Sequence, residues 1–102
     1  MVVKARKVAA HEAAVQRTYC LAPGEYERLK AFQGGVCALC QRANGATRNL
    51  SVDHDHATGK VRGLLCRPCN NTLGHARDAV AFFVRGINYL NDSPYDQMRR
   101  QS

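Results

Sequence analysis

The sequence predicts a small α+β domain in which two short strands and a helix are held together by paired cysteines and flanked by further helices. Three observations lead there. The chain has 102 residues, the size of one ordinary domain with one modest core. Four of its five cysteines stand as Cys37-Ala-Leu-Cys40 and Cys66-Arg-Pro-Cys69. Around the second pair, a strand, a polar loop, a strand and a helix read in succession.

Taken in order, residues 1–20 are rich in alanine and broken by Lys4, Arg6, Lys7, Glu12 and Arg17, which predicts a basic helix or arm with a weak apolar face. Ala22-Pro23-Gly24 is a break. Tyr26, Leu29 and Phe32 then recur at a spacing of three before Gly34-Gly35, predicting a short amphipathic helix over 24–33 whose aromatics pack in the core. Residues 41–49 are polar and contain Asn44-Gly45, a loop signal. A strand over 50–54 follows, Ala57-Thr58-Gly59-Lys60 connects it to a second strand over 61–65, and that strand runs into Cys66. Pro68 suits the first turn of a helix continuing to about His75. Residues 76–91 carry Val80, Phe83, Val84, Ile87 and Leu90, the stripe of an amphipathic helix with Gly86 as its weak point. From Asp92 the chain is polar and is expected to fray. The expected organisation is therefore an arm over 1–20, a folded domain over 21–91 and a tail over 92–102.

Composition narrows the function. Lys and Arg number 15 against 8 Asp and Glu, a formal charge of +7 and a pI near 9.5. Such a chain favours polyanionic partners. With 45% hydrophobic and 23% charged residues it is not a disordered basic tail. The longest apolar run, 79–84, falls far short of the roughly 20 residues a membrane helix needs, and the N-terminus lacks the continuous apolar stretch of a secretory signal. The expected location is the cytoplasm, with no membrane partner.

Thiols in a reducing compartment seldom form lasting disulfides, and two C-x-x-C knuckles bring four thiolates to one tetrahedral ion. Structural zinc on Cys37, Cys40, Cys66 and Cys69 is the direct reading; a pair of disulfides and a thioredoxin-like redox pair are the alternatives. Cys20 reads as a bland, partly buried residue. A closed four-thiolate site has no open position for water, so any chemistry needs a second metal.

Between the knuckles lies Asp53-His54-Asp55-His56, and Asn70 follows Cys69 directly. Strand alternation sends Asp53 and His54 to opposite faces, so for both to serve one site the strand must end or bulge near them. Zinc would then fix the helix carrying Asn70 against the hairpin carrying Asp53 and His54. The Asp53 carboxylate and Asn70 carbonyl are hard oxygen donors suited to Mg²⁺. A neutral His54 can take a proton from water attacking phosphorus, and His56 can bind phosphate or orient the site. The structural alternatives are a hydrogen-bonded hairpin edge for the Asp-His run, a capping role for Asn70 and a helix-end role for His75. Lys60, Arg62 and Arg67 lie closest to this site among the basic residues that can meet DNA phosphates. Aromatic residues, at 7%, are too few for a single-strand stacking groove.

The stretch from Gln33 through Cys40, the run Val52-Asp53-His54-Asp55-His56-Ala57-Thr58-Gly59-Lys60-Val61-Arg62-Gly63-Leu64-Leu65-Cys66, and then Cys69-Asn70 resemble the recombination endonuclease VII family of tailed phages, within the HNH or ββα-metal nucleases. The resemblance covers about residues 19–75, and more loosely extends to 91. It implies a ββα-metal finger clamped by zinc on the four cysteines, with Asp53 and Asn70 as Mg²⁺ ligands, His54 as general base and His56 assisting. Mn²⁺ is a possible substitute for Mg²⁺. It also implies resolution of branched DNA such as Holliday junctions by a homodimer, in a host cell's cytoplasm if the chain is phage-encoded. Leu73 stands where a member of the family has an acidic residue, which removes a possible extra carboxylate. That member's long C-terminal dimerisation region is expected to have no counterpart here, which makes the stripe at Val80, Phe83, Val84 and Ile87 the candidate dimer surface, or equally an internal core. The alternatives for function are an HNH nickase or DNA-packaging endonuclease without junction preference, and a non-catalytic zinc module that binds DNA.

Overall fold

A computed structural model describes residue 11 and residues 21–101. The helix expected over 1–20 and the environment of Cys20 thus fall outside the described residues, His11 excepted. The elements are α1 (Glu25–Phe32), β1 (Ser51–His54), β2 (Val61–Leu65), α2 (Arg67–His75), α3 (Val80–Asn91) and α4 (Pro94–Gln101). The chain divides into two compact units, Met1–Asn70 and Asn71–Ser102, each described here by itself.

In the first unit α1 covers the residues where the spacing of Tyr26, Leu29 and Phe32 predicts a helix. It ends as the Gly34-Gly35 pair dictates. The Gly35 N–H reaches back to the Lys30 carbonyl at 2.9 Å and the Gly34 N–H to Ala31 at 3.0 Å, with both glycines left-handed at φ 77° and 72°. This is the Schellman closure, which a residue with a Cβ resists. Tyr26 is the anchor of α1, buried at 2% exposure, with its hydroxyl donating to the Leu50 carbonyl at 2.7 Å. Burial pushes its phenol above the ordinary pKa. His11 meets the Tyr26 ring edge-on at 4.7 Å between centroids. Phe32, expected to pack with Tyr26, is instead 89% exposed.

Strands β1 and β2 pair antiparallel, with Ser51 opposite Leu65, Val52 opposite Leu64 and Asp53 opposite Gly63. Val52, Leu64 and Leu65 form the core with Leu50, Tyr26 and Cys37. The side of β2 away from β1 is closed by a side chain, because the Gln33 amide treats Leu64 as a strand partner. Gln33 Oε1 accepts from the Leu64 N–H at 2.8 Å, and Nε2 donates to the Leu64 carbonyl at 2.9 Å and to that of Val36 at 3.0 Å. Leu64 thus keeps both backbone groups satisfied at an edge where the described residues supply no third strand. Gly63 belongs to the same arrangement, since a Cβ there would lie 3.2 Å from Gln33 Oε1.

The second unit departs from expectation twice. The helix predicted over 76–91 starts only at Val80, because α2 closes first: the Asp78 N–H bonds to the Leu73 carbonyl and the Arg77 N–H to that of Gly74, both at 3.1 Å. Arg77 and Asp78 take left-handed conformations at φ 54° and 57°, positions that normally select glycine. The tail expected to fray is a helix instead. Ser93 Oγ accepts from the Asp96 N–H at 3.3 Å, Pro94 opens the helix, and the Asp92 carboxylate takes both Arg100 guanidinium nitrogens at 3.0 and 2.8 Å. Asp96 near its start and Arg99 and Arg100 near its end complement the helix dipole.

Replacing Gln33 with Leu removes three hydrogen bonds and strands the Leu64 N–H. A loss of about 1–3 kcal/mol in urea unfolding of the metal-loaded protein is expected, against about 1 kcal/mol for Tyr26→Phe. Equal stability of Gln33→Leu and wild type would show that the amide does not close the sheet.

Candidate metal centre and hairpin site

The first cysteine pair sits in a tight turn. The Cys37 N–H bonds to the Ala43 carbonyl at 2.9 Å, the Gln41 N–H returns to the Cys37 carbonyl at 3.1 Å, and the Leu39 N–H points at Cys37 Sγ at 3.4 Å. Gln41 is left-handed at φ 60°. The second pair straddles the junction between β2 and α2, where the Asn70 N–H bonds to the Cys66 carbonyl at 2.9 Å. All four sulfurs lie within 4.8 Å of one another, and Cys40 Sγ is 3.9 Å from Cys66 Sγ. Sulfurs tetrahedral about zinc at about 2.3 Å stand about 3.8 Å apart, whereas a disulfide brings them to about 2.05 Å. All four are free thiols, so the donor set and its spacing fit a metal such as zinc.

The metal-free thiols differ widely. Amide groups of Ala43 and Arg42 hold Cys40 down at about 6. Burial pushes Cys37 upward, but hydrogen bonds at Cys66, Cys40 and Leu39 leave it below the ordinary thiol value. Burial and the three neighbouring thiols push Cys69 up to about 12. Four thiols so crowded cannot all ionise without a cation among them.

The hairpin supplies the second cluster. Its register shifts between Asp53 and His54, because His54 pairs with Val61 while Asp53 pairs with Gly63. Arg62 is therefore the extra residue of a bulge, at the point where the Asp-His pair requires strict alternation to break. Asp53 is buried at 7% exposure, and Arg62 grips it with both arms of the guanidinium: Nε donates to Oδ2 at 2.7 Å and Nη2 to Oδ1 at 3.0 Å. The half-buried His54 and exposed His56 rings approach to 4.9 Å between centroids. Asp55 ties the loop by accepting from the Ala57 and Thr58 N–H groups at 2.8 and 3.2 Å, which hold its carboxyl below the ordinary range. The Asp55 N–H also bonds across to the Lys60 carbonyl at 2.8 Å.

The fold thus unites the four cysteines, couples His54 with His56, and joins Asp53 to Arg62. Asn70 is half-buried in the first turn of α2, beside Cys69 in sequence, and its side-chain amide makes no hydrogen bond among the described residues. Lys60 and Arg67 are exposed. Arg62, placed with them by sequence, is occupied by Asp53. An unforeseen feature is a cleft of about 450 Å³ lined by Arg48, Asn49, Ser51, Cys66 and Arg67 among others. Sequence reasoning also passed over Gln33, whose only signal was a polar side chain just beyond a helix end.

A sequence profile described as recombination endonuclease VII matches residues 12–92. Two curated relatives, each called Gene 59 protein, come from Mycobacterium phage L5 and Mycobacterium phage D29 and are 52% and 48% identical over 95 residues. The matched stretch is 92% of this chain but 58% of each relative, so the chain spans less than two thirds of their length. No solved structure matches the chain significantly. Among the described residues no helix is long and apolar enough to cross a membrane.

Metal removal provides the test of the four-thiol centre. The purified chain is expected to carry one zinc, and chelation to abolish its cooperative thermal transition, since four-thiolate zinc contributes on the order of 10 kcal/mol. A metal-free chain with an unchanged melt would show that the cysteines are not a folding centre.

Proposed function

We propose that this chain, which belongs to the recombination endonuclease VII family, is a Mg²⁺-dependent, zinc-stabilised DNA endonuclease that cuts branched DNA. One observation carries the reading most: the bulge between Asp53 and His54, in a hairpin followed directly by a helix that starts between two thiols of the zinc centre and carries Asn70. In this reading β1, β2 and α2 are the ββα-metal finger of the HNH nucleases. Zinc is the clamp and takes no part in the reaction.

Asp53 and Asn70 would hold Mg²⁺, for which a carboxylate and an amide carbonyl are suitable donors. When bound, that ion supplies a positive charge that stabilises the phosphate and the departing oxygen. His54 takes a proton from the attacking water as its oxygen bonds to phosphorus. The bond from phosphorus to the 3′ oxygen breaks, leaving a 5′-phosphate and a 3′-hydroxyl once that oxygen gains a proton. His56, next to His54, orients the imidazole or binds a phosphate oxygen. Lys60 and Arg67 grip the DNA backbone, Arg62 joins them once released from Asp53, and Arg48 extends the grip along the cleft it shares with Arg67.

Paired nicks on a junction call for two copies of the site. The apolar stripe of α3 is the proposed surface for the second copy, since Val80, Val84 and Ile87 are exposed at 76%, 48% and 58%, while Phe83 is half-buried. The same reading places the protein in the cytoplasm of a phage's host.

The deciding assay offers a synthetic four-way junction beside linear duplex, with Mg²⁺ and with EDTA. Symmetric nicks at the junction, dependent on Mg²⁺, are expected. His54→Ala should lose cleavage by about 10²–10⁴-fold while retaining zinc, fold and DNA affinity. Equal cutting of both substrates would point to a nuclease without junction preference. No cutting of any DNA, with His54→Ala indistinguishable from wild type, would leave a non-catalytic zinc module.

A further inference from the structure

We propose that the cleft between the 43–51 loop and the start of α2 receives one unpaired nucleotide of the DNA, and that this uptake makes the protein prefer branched over fully paired substrate. The inference rests on the reading of the chain as a DNA endonuclease and adds how it selects its substrate.

The cleft has the charge of a nucleotide site. Arg48 from the loop and Arg67 from the start of α2 both line it, and both are exposed. Neither is paired with a carboxylate among the described residues, and no described Asp or Glu lines the cleft. Arg62 differs, since Asp53 takes its guanidinium. Two guanidinium groups without a carboxylate partner attract phosphate.

Size and polarity favour a whole nucleotide over a backbone phosphate alone. The volume of about 450 Å³ falls in the range of roughly 300–1,000 Å³ typical of small-molecule sites. Asn44, Asn49 and Ser51 also line the cleft, and their amides and hydroxyl match the donor and acceptor edges of a base. A paired duplex turns its pairing edges toward the partner strand and presents mainly phosphate here. An unpaired nucleotide at a branch presents its Watson–Crick edge as well, and a guanidinium plane is a surface on which such a base stacks.

The walls are set before DNA arrives. Asn44 Oδ1 accepts from the Ala46 N–H at 2.7 Å, which leaves Nδ2 to donate, and the Gly45 N–H bonds to the Gly35 carbonyl at 2.8 Å. A Cβ on Gly45 would lie 2.9 Å from Lys30 Cε and 3.3 Å from the Gly35 oxygen, so the loop is seated closely against the end of α1. On the other wall, Arg67 directly follows Cys66 of the thiol centre. Ser51 pairs with Leu65 in the hairpin and stands three residues before His54, about 10 Å along β1. One DNA strand can therefore reach both the cleft and His54.

The test compares a fully paired duplex with the same duplex carrying one unpaired deoxyadenosine, by fluorescence anisotropy. Zinc-loaded His54→Ala protein keeps both uncut. It should bind the unpaired form about tenfold more tightly. Asn49→Ala in that background should cut the preference to at most about twofold, and Arg48→Gln should weaken the unpaired form more than the paired one. Both positions are exposed, and unchanged zinc content and thermal melt confirm the fold of each variant. Equal affinity for the two DNAs, or equal losses on both in the two variants, would overturn the proposal while junction cutting by the His54 protein keeps the nuclease reading. Tighter binding of deoxyadenosine monophosphate than of the unpaired DNA would assign the cleft to a free nucleotide and overturn it too. If the His54 protein cuts no DNA, the nuclease reading itself fails, and the cleft's part in substrate choice with it.

Discussion

Everything in the first unit depends on four thiols meeting at one point. Cys37 and Cys40 lie before β1, and Cys66 and Cys69 follow β2, so the whole hairpin is the loop that the centre closes. Among the described residues, the first unit's core is Tyr26, Cys37, Leu50, Val52, Leu64 and Leu65, which is small even for a chain this short, and a structural metal is the usual remedy at this size. The thiols cannot supply the cohesion alone. Burial, together with the neighbouring thiols, pushes Cys69 up to about 12, so its thiolate is disfavoured until a cation enters. The surrounding amides, which hold Cys40 near 6, prepare one side of the centre for that cation.

Around this clamp, polar side chains do what further strands would do in a larger domain. Gln33 stands in for a strand along β2, Tyr26 ties α1 to the residue preceding β1, and the Asp55 carboxylate adds its bonds to the backbone turn bonds at the hairpin tip. Each substitution of a side chain for secondary structure fixes one end of the hairpin and leaves its middle to the bulge at Arg62. The charge distribution follows the same division. The formal +7 of the chain falls to about +5 once four thiolates and one zinc are counted. The buried Asp53 contributes little exposed negative charge while Arg62 neutralises it. Within the hairpin, Asp53 and Arg62 form a balanced pair.

Much of this was legible in the sequence, for physical reasons that differ by element. The cysteine pairs are read by spacing, the strands by alternation and termination, and α1 by its periodicity and the two glycines that end it. The break in register was legible only conditionally: if Asp53 and His54 serve one site, the strand must end or bulge near them, and a bulge is what occurs there. What escaped depended on partners that no local pattern encodes. Gln33 looks like a polar helix end until Leu64 is placed beside it. Arg62 looks like a phosphate contact until the bulge turns it onto Asp53. The close of α2 was hidden because Arg77 and Asp78 adopt conformations that sequence signals assign to glycine. The last helix was hidden because it has capping and charge pairing in place of an apolar stripe. Phe32 fits the periodicity of α1 and yet lies exposed, so periodicity named the helix but not every residue that it buries.

The clamp is tested most directly by zinc K-edge X-ray absorption on the purified protein. Four sulfur neighbours at about 2.3 Å and no nitrogen or oxygen in the coordination shell are predicted. A shell containing imidazole or carboxylate, or a chain that folds without bound metal, would contradict it, because the hairpin would then lack the closure on which its geometry rests.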